Sequence, residues 1–277
     1  MKPPPFDYVR AESLEEALAA LEEGGDDAKP IAGGQSLVPA LTMRLVRPSV
    51  LVDVNHAGLG EIVANGGVRI GATVRQAALA GDERVHPLVR RALPFVGHFV
   101  TRNRGTIGGS IAHADGAAEL PLCLVTLDGA VVAEGPGGPR EIPAGEFFVT
   151  HFLTTLQPGE LVVETSWPPA AEGESSAFEE LALRTGDFAQ SMAAVVLRRE
   201  SGRITDARVG VGAVTDRPTR LAEVERLLVG SWGIEAAADA GALAAALVEP
   251  SSTTHASARY LRALTGTLVE RAIERAA

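Results

Sequence analysis

The chain has 277 residues, 35 acidic and 25 basic, for a formal charge of −10. Lysine occurs only at Lys2 and Lys29 and the other cations are scattered arginines, so no basic stripe exists to track a phosphate backbone, and nucleic acid is excluded as a partner. Hydrophobic residues, 46% of the total, are spread throughout, which excludes a disordered chain, and no apolar run approaches the ~18 residues of a transmembrane segment.

The opening segment MKPPPFDYVR lacks the apolar centre of a secretory signal, so the expected location is cytoplasmic. Cys123 is the only cysteine. One thiol forms no internal disulfide and holds neither a zinc site nor an iron–sulfur cluster, and its apolar setting over 120–127 predicts a buried, inert side chain. The histidines (His56, His86, His98, His113, His151, His255) are far apart without metal-ligand spacing, so no metal is expected.

Ser13 followed by Glu16 is a capping-box signature, and Leu14, Ala17, Leu18 and Leu21 then share one helical face that Gly24 and Gly25 end. A strand is predicted over 29–32, a helix over 37–45 and a buried strand over 50–54. Residues 61–63 and 68–70 flank Asn65-Gly66-Gly67 and predict a hairpin. Thr73 is placed to cap a helix through Leu79, and another helix fits 87–95. After the glycine-punctuated stretch 101–110 come a helix over 117–127 and strands over 130–134 and 161–167. The segment PPAAEGESS, 168–176, is small, polar and proline-rich and is expected to be a linker. Beyond it, 192–197 and 204–214 predict antiparallel strands turning at Ser201-Gly202, and helices are predicted over 221–228, 234–247 and 258–276. That order implies a small sheet with helices on one face, an α+β arrangement.

Two segments share one grammar. Ile31-Ala32-Gly33-Gly34-Gln35-Ser36-Leu37 and Thr101-Arg102-Asn103-Arg104-Gly105-Thr106-Ile107-Gly108-Gly109-Ser110 each run from an apolar strand end through a glycine pair to a hydroxyl residue. Paired glycines let the backbone approach a ligand and let successive N–H groups converge on an anion. Such a cradle suits an acidic protein, because it binds a diphosphate without a lysine cluster, and Ser36, Thr106 and Ser110 add hydroxyl donors. A single glycine pair is more often just a turn, and Gly24-Gly25, Gly66-Gly67 and Gly137-Gly138 are read so; two loops of the same grammar favour a ligand. Other nucleotide and acyl-transfer signatures fail: there is no Gly-Lys pair, the run from Val209 to Thr215 lacks the third glycine of a dinucleotide fingerprint, and neither loop closes a nucleophile elbow.

Taken together, PPPFDYVRAESLEEAL, AGGQSL, VLVDVN, IGATVRQA, TRNRGTIGGSIAHADGAAELP, FFV, PGELVVE and RTGDFAQ resemble the FAD-binding medium subunit of molybdenum hydroxylases, a family that includes the flavoprotein subunit of aerobic carbon monoxide dehydrogenase and the flavin domain of xanthine dehydrogenase. The resemblance covers essentially the whole chain. It implies an α+β fold: a two-lobed FAD-binding domain of the vanillyl-alcohol-oxidase-like type at 1–170, with lobes about 1–57 and 58–170, then a smaller α+β C-terminal domain at 175–277 with an antiparallel sheet and helices. It implies that Ile31, Ala32, Gly33, Gly34, Gln35, Ser36 and Leu37, with Thr106, Ile107, Gly108, Gly109 and Ser110, hold the FAD diphosphate. Glu119 takes the place of the family's ribose-binding acid, with Asp115 a nearby second candidate; the other reading of Glu119 is a solvated helix carboxylate. Leu161 or Val162 is expected beside the adenine. Phe188, where tyrosine is frequent, is expected near the isoalloxazine, its alternative being a core aromatic. Gly116 replaces a common proline and is expected to loosen the turn.

The resemblance further implies an electron-transfer flavoprotein subunit with non-covalent FAD, no loop offering a histidine or cysteine for a covalent link. Molybdopterin and 2Fe-2S clusters would lie only on partners, a large molybdopterin subunit and a small iron–sulfur subunit, in a dimer of heterotrimers. Electrons would leave to an external acceptor, and no catalytic residue is expected on this chain. Two other readings are open. A stand-alone FAD oxidoreductase would need a base near the flavin, for which the sequence offers no clear candidate. A flavin-less assembly module would keep the loops only as structure.

Overall fold

The computed structural model describes residues 2–277. The first lobe contains strand β1 (Asp7–Arg10), helix α1 (Leu14–Gly24), strand β2 (Ala28–Ile31), helix α2 (Leu37–Thr42) and strand β3 (Val50–Asp53). Its strands form a parallel sheet in the order β1-β3-β2. The Ser13 hydroxyl accepts from the Glu16 amide at 3.2 Å, while the Glu16 carboxylate reaches one residue further back than a standard box and accepts from the Glu12 amide at 2.8 Å. Ala17 and Leu21 are buried, and Leu14 and Leu18 pack against the same core, which also holds Val52, Val54 and Leu161.

The second lobe begins with the predicted hairpin, β4 (Ile62–Ala64) and β5 (Val68–Gly71). Helices α3 (Gln76–Ala80), α4 (Pro87–Ala92), α5 (Phe99–Arg104), α6 (Ile107–His113) and α7 (Glu119–Thr126) follow. Then come β6 (Ala130–Gly135), β7 (Gly138–Pro143), α8 (Ala144–Phe147), β8 (Phe148–Thr150), β9 (Leu153–Thr154) and β10 (Leu161–Trp167). The lobe's main sheet is antiparallel, in the order β4-β5-β10-β6-β7.

The C-terminal part is a meander of β11 (Glu174–Ala182), β12 (Ala189–Glu200), β13 (Arg203–Gly212) and β14 (Thr219–Arg220), followed by α9 (Ala222–Leu228), α10 (Ile234–Leu247) and α11 (Ala258–Ala276). Strand β12 shows how the parts are joined. Alternate residues face opposite sides of a strand. Met192, Ala194 and Val196 enter the core of the second lobe, and Ala193, Val195 and Leu197 enter the core under the C-terminal helices. Both faces are covered, which is why this strand is a continuous apolar run rather than an alternating one.

Three expectations are corrected, and two strands, β1 and β7, are added to those the sequence predicts. The segment predicted as a linker is shorter: residues 174–176 open β11, where the polar Glu174 is satisfied inside by His86 and Arg208. Strands β1 and β7 give no apolar alternation, β1 being exposed at every position and β7 a mostly polar edge. The stretch 101–110 lies mostly in α5 and α6, so the second glycine loop leaves a helix rather than a strand. Thr73 caps no helix; α3 begins at Gln76. No helix among the described residues is long and apolar enough to cross a membrane.

Candidate functional site

The chain leaves β2 at Ile31, turns through residues 32–36 and enters α2. Gly34 holds φ +71°, the left-handed region that a side chain disfavours. At Gly33 an added Cβ would collide with the Arg104 carbonyl oxygen and lie 2.8 Å from Gly105 Cα, so this glycine is where the first loop touches the corner between α5 and α6. The carbonyls of Gly34 and Ser36 accept from Val38 and Ala40, but the amides of residues 33–36 donate to no acceptor among the described residues. Consecutive N–H groups left without partners beside a cleft are a ready anion cradle. The cleft has a volume of about 440 Å³ and is lined by Ile31, Ala32, Gly33, Gly34 and Gln35, with Tyr8, Val38, Pro39, Asp53, Asn55 and Arg104.

The second loop is built differently. Its amides are used within the chain: Ile107 donates to Val74 O at 3.0 Å, Gly108 to Ala72 O at 2.9 Å, Gly109 to Thr106 Oγ1 at 3.1 Å and Ser110 to Thr106 O at 3.2 Å. Gly108 is small because it packs on Ala72; an added Cβ would lie 2.7 Å from Ala72 Cα. Gly109 is exposed, and a Cβ there would lie 4.0 Å from that of Ala32, so it faces the first loop. The unpartnered amides therefore sit on the first loop, and the second supplies a packed wall with the hydroxyls of Thr106 and Ser110.

Four side chains that the sequence did not single out tie these elements together. The Tyr8 hydroxyl donates to Asp53 Oδ2. Asp53 Oδ1 accepts from the Asn55 amide at 2.9 Å and from Asn55 Nδ2 at 2.5 Å. Asn55 Nδ2 also donates to Ala32 O at 2.9 Å, and Arg75 Nη2 donates to Asn55 Oδ1 at 2.7 Å. Burial pushes the Asp53 carboxyl up, but the hydrogen bonds from Tyr8 and Asn55 outweigh it and hold its pKa below the ordinary value. The bond to Asp53 raises the Tyr8 hydroxyl in turn.

The remaining predicted residues lie further along. Asp115 is half-buried, and its Oδ1 accepts from the Ala117 amide at 2.9 Å. Glu119 is not a solvated carboxylate: it is only 9% exposed, and burial, with the nearby Asp115 charge, pushes it up to about 7. Glu180 on β11 is raised to about 8 by burial and by Glu119. Leu161 packs in the first lobe's core, and Val162 packs in that of the second. Phe188 is 73% exposed between β11 and β12, so it is not a core aromatic. The turn at Gly116 is tight rather than loose: its carbonyl accepts from Ala213 at 2.8 Å, and an added Cβ would lie 2.6 Å from the His151 ring. Cys123 is buried, and burial raises its thiol well above the ordinary value.

Residues 4–170 match the family model described as the FAD binding domain in molybdopterin dehydrogenase, and residues 176–276 match the CO dehydrogenase flavoprotein C-terminal domain. The chain belongs to this family. It is 44% identical over 286 residues to the 6-hydroxypseudooxynicotine dehydrogenase complex subunit alpha of Paenarthrobacter nicotinovorans, covering 100% of this chain and 96% of that relative. It is 35% identical to the carbon monoxide dehydrogenase medium chain of Afipia carboxidovorans, covering 100% of this chain and 98% of that one. Among solved structures, quinoline 2-oxidoreductase from Pseudomonas putida 86 has a chain with TM-score 0.95 and 38% identity, covering 100% of this chain and 98% of that one. The chain is thus an oxidoreductase subunit of the carbon monoxide dehydrogenase type, with an FAD-binding domain followed by a smaller C-terminal domain in an α+β fold. The cleft fits that cofactor: its unpartnered amides suit a pyrophosphate, and a side chain at Gly33 would break the loop contact that forms one wall.

Proposed function

We propose that the chain is the FAD-carrying electron-transfer subunit of a molybdenum-containing hydroxylase or dehydrogenase. The observation that carries this reading is the row of unpartnered amides at residues 33–36 beside the cleft, with Gly109 close to Ala32 of the same loop. These amides and the hydroxyls of Ser36, Thr106 and Ser110 bind the pyrophosphate. Glu119, or else Asp115, binds the adenosine ribose; with a pKa near 7 Glu119 offers both a donor and an acceptor form at neutral pH. Leu161 lies toward the adenine, and the exposed Phe188 meets the isoalloxazine. When bound, FAD supplies the one- and two-electron chemistry, while the chain binds, orients and tunes it.

No histidine or cysteine stands in the loops, so binding is non-covalent. A single buried cysteine leaves the 2Fe-2S clusters to a small partner subunit and molybdopterin to a large one. Electrons enter from that iron–sulfur subunit and leave to an external acceptor, in a cytoplasmic dimer of heterotrimers. A visible absorption spectrum of the purified chain tests the reading. We expect flavin bands that denaturation releases, at one FAD per chain. A colourless protein that also refuses added FAD would overturn it. Co-purified partners identified by mass test the assembly, with one iron–sulfur and one molybdopterin subunit expected.

A further inference from the structure

No direct hydrogen bond joins the two glycine loops among the described residues. They are joined through two side chains. Asn55 Nδ2 holds the Ala32 carbonyl at 2.9 Å, Asn55 Oδ1 takes Arg75 Nη2 at 2.7 Å, and Arg75 Nη1 holds the Arg104 carbonyl at 2.5 Å. Each end is fixed further. Asp53, itself bonded by Tyr8, holds Asn55 Nδ2. On the other side, the Arg75 backbone pairs with Thr106, and the Gln76 amide donates to Gly105 O at 2.9 Å. Asn55 therefore belongs to the first lobe and Arg75 to the second loop's support, and their bond joins the two.

We propose that Asn55 and Arg75 are positioning residues for the pyrophosphate cradle, an inference that rests on the FAD reading above. A trans peptide is planar, so its carbonyl and the following N–H point in opposite directions. Holding Ala32 O fixes the direction of the Gly33 N–H, the first of the unpartnered amides. Holding Arg104 O in the same relay fixes the wall that Gly33 touches. The spacing of the loops is thus set by one asparagine and one guanidinium rather than by glycine packing alone. Arg75 needs both nitrogens of its fork, which lysine does not provide.

The test uses the full chain stripped of flavin, titrated with FAD and with ADP, alongside its melting temperature. Asn55→Ala and Arg75→Ala are expected to weaken both ligands about tenfold or more, because the cradle amides lose their fixed direction. The apoprotein should melt within a few degrees of wild type. Arg75→Lys should remain weak; full recovery would mean that only the charge matters, and it would overturn the proposal. Unchanged ADP and FAD affinities in Asn55→Ala would overturn it as well, while leaving the FAD reading intact. If Asn55→Ala fails to fold, Arg75→Gln decides: Arg75 does not line the cleft, and glutamine is too short to hold both the Asn55 side chain and the Arg104 carbonyl. A measurable loss of ADP affinity there supports the relay, and none overturns it. A wild-type chain that binds neither ligand overturns the FAD reading and the relay with it.

Discussion

His86 and Glu174 meet between α4 and β11, Nε2 to Oε1 at 2.6 Å, with side chains only 1% and 3% exposed. The Leu88 amide donates to His86 Nδ1 at 3.1 Å, so the ring's proton sits on Nε2 and is donated to Glu174. Arg208 on β13 holds the other carboxylate oxygen at 2.6 Å. This triad links the FAD-binding domain to the C-terminal sheet. Burial pushes the Glu174 carboxyl up, but the His86 bond and the Arg208 charge outweigh it, leaving its pKa below the ordinary value.

The triad's contribution to stability is accordingly present above the usual carboxylate range and is lost as the pH falls through the lowered folded value. Glu174→Ala leaves a guanidinium and a ring N–H without their acceptor in a dry interface, and should cost about 3 kcal/mol. Urea unfolding at neutral pH checks this. A loss below about 1 kcal/mol would mean that water replaces the carboxylate freely.

Glu119 and Glu180 have the opposite sign. Their folded pKa values, about 7 and about 8, lie above the ordinary value. Their stabilising share is full in acid and is lost as the pH rises through those values. Glu180→Gln should therefore flatten the decline in stability between pH 5 and pH 8 and raise stability at the upper end by about 1 kcal/mol. Unfolding curves at both pH values decide the matter; an unchanged slope would place these carboxyls in water.

Gly33→Ala drives a methyl into the Arg104 carbonyl. The two loops must separate, at a cost of about 1–3 kcal/mol. FAD affinity should fall with it, because the cradle opens. A variant with wild-type melting and wild-type FAD affinity would show that the contact yields without consequence.

Phe188 is exposed, so Phe188→Ala should change stability by no more than about 0.5 kcal/mol. If Phe188 meets the isoalloxazine as proposed, the visible spectrum of the bound flavin shifts in this variant. An identical spectrum would place Phe188 away from the isoalloxazine.

Much of this architecture is legible residue by residue. The glycine pair after Ile31 marks a loop because an apolar strand ends there, and Ser13 with Glu16 marks a helix start because capping is local. What escapes is what depends on distant partners. Asn55 stands in a strand motif, VLVDVN, and its bond to Arg75 spans a separation that no periodicity reports. Glu174 resembles linker sequence because its partners lie 88 and 34 residues away. The second glycine loop looks like the first, yet its amides are taken by Ala72, Val74 and Thr106, two of which belong to a different part of the lobe. Gly108 is small for packing on Ala72 and Gly33 for touching Arg104, so identical residues in identical patterns serve different ends.

A crystal structure of the chain with FAD tests the central claim most directly. Pyrophosphate oxygens are expected within about 3 Å of the amides of residues 33–36. A pyrophosphate bound elsewhere, with those amides turned to solvent, would contradict it.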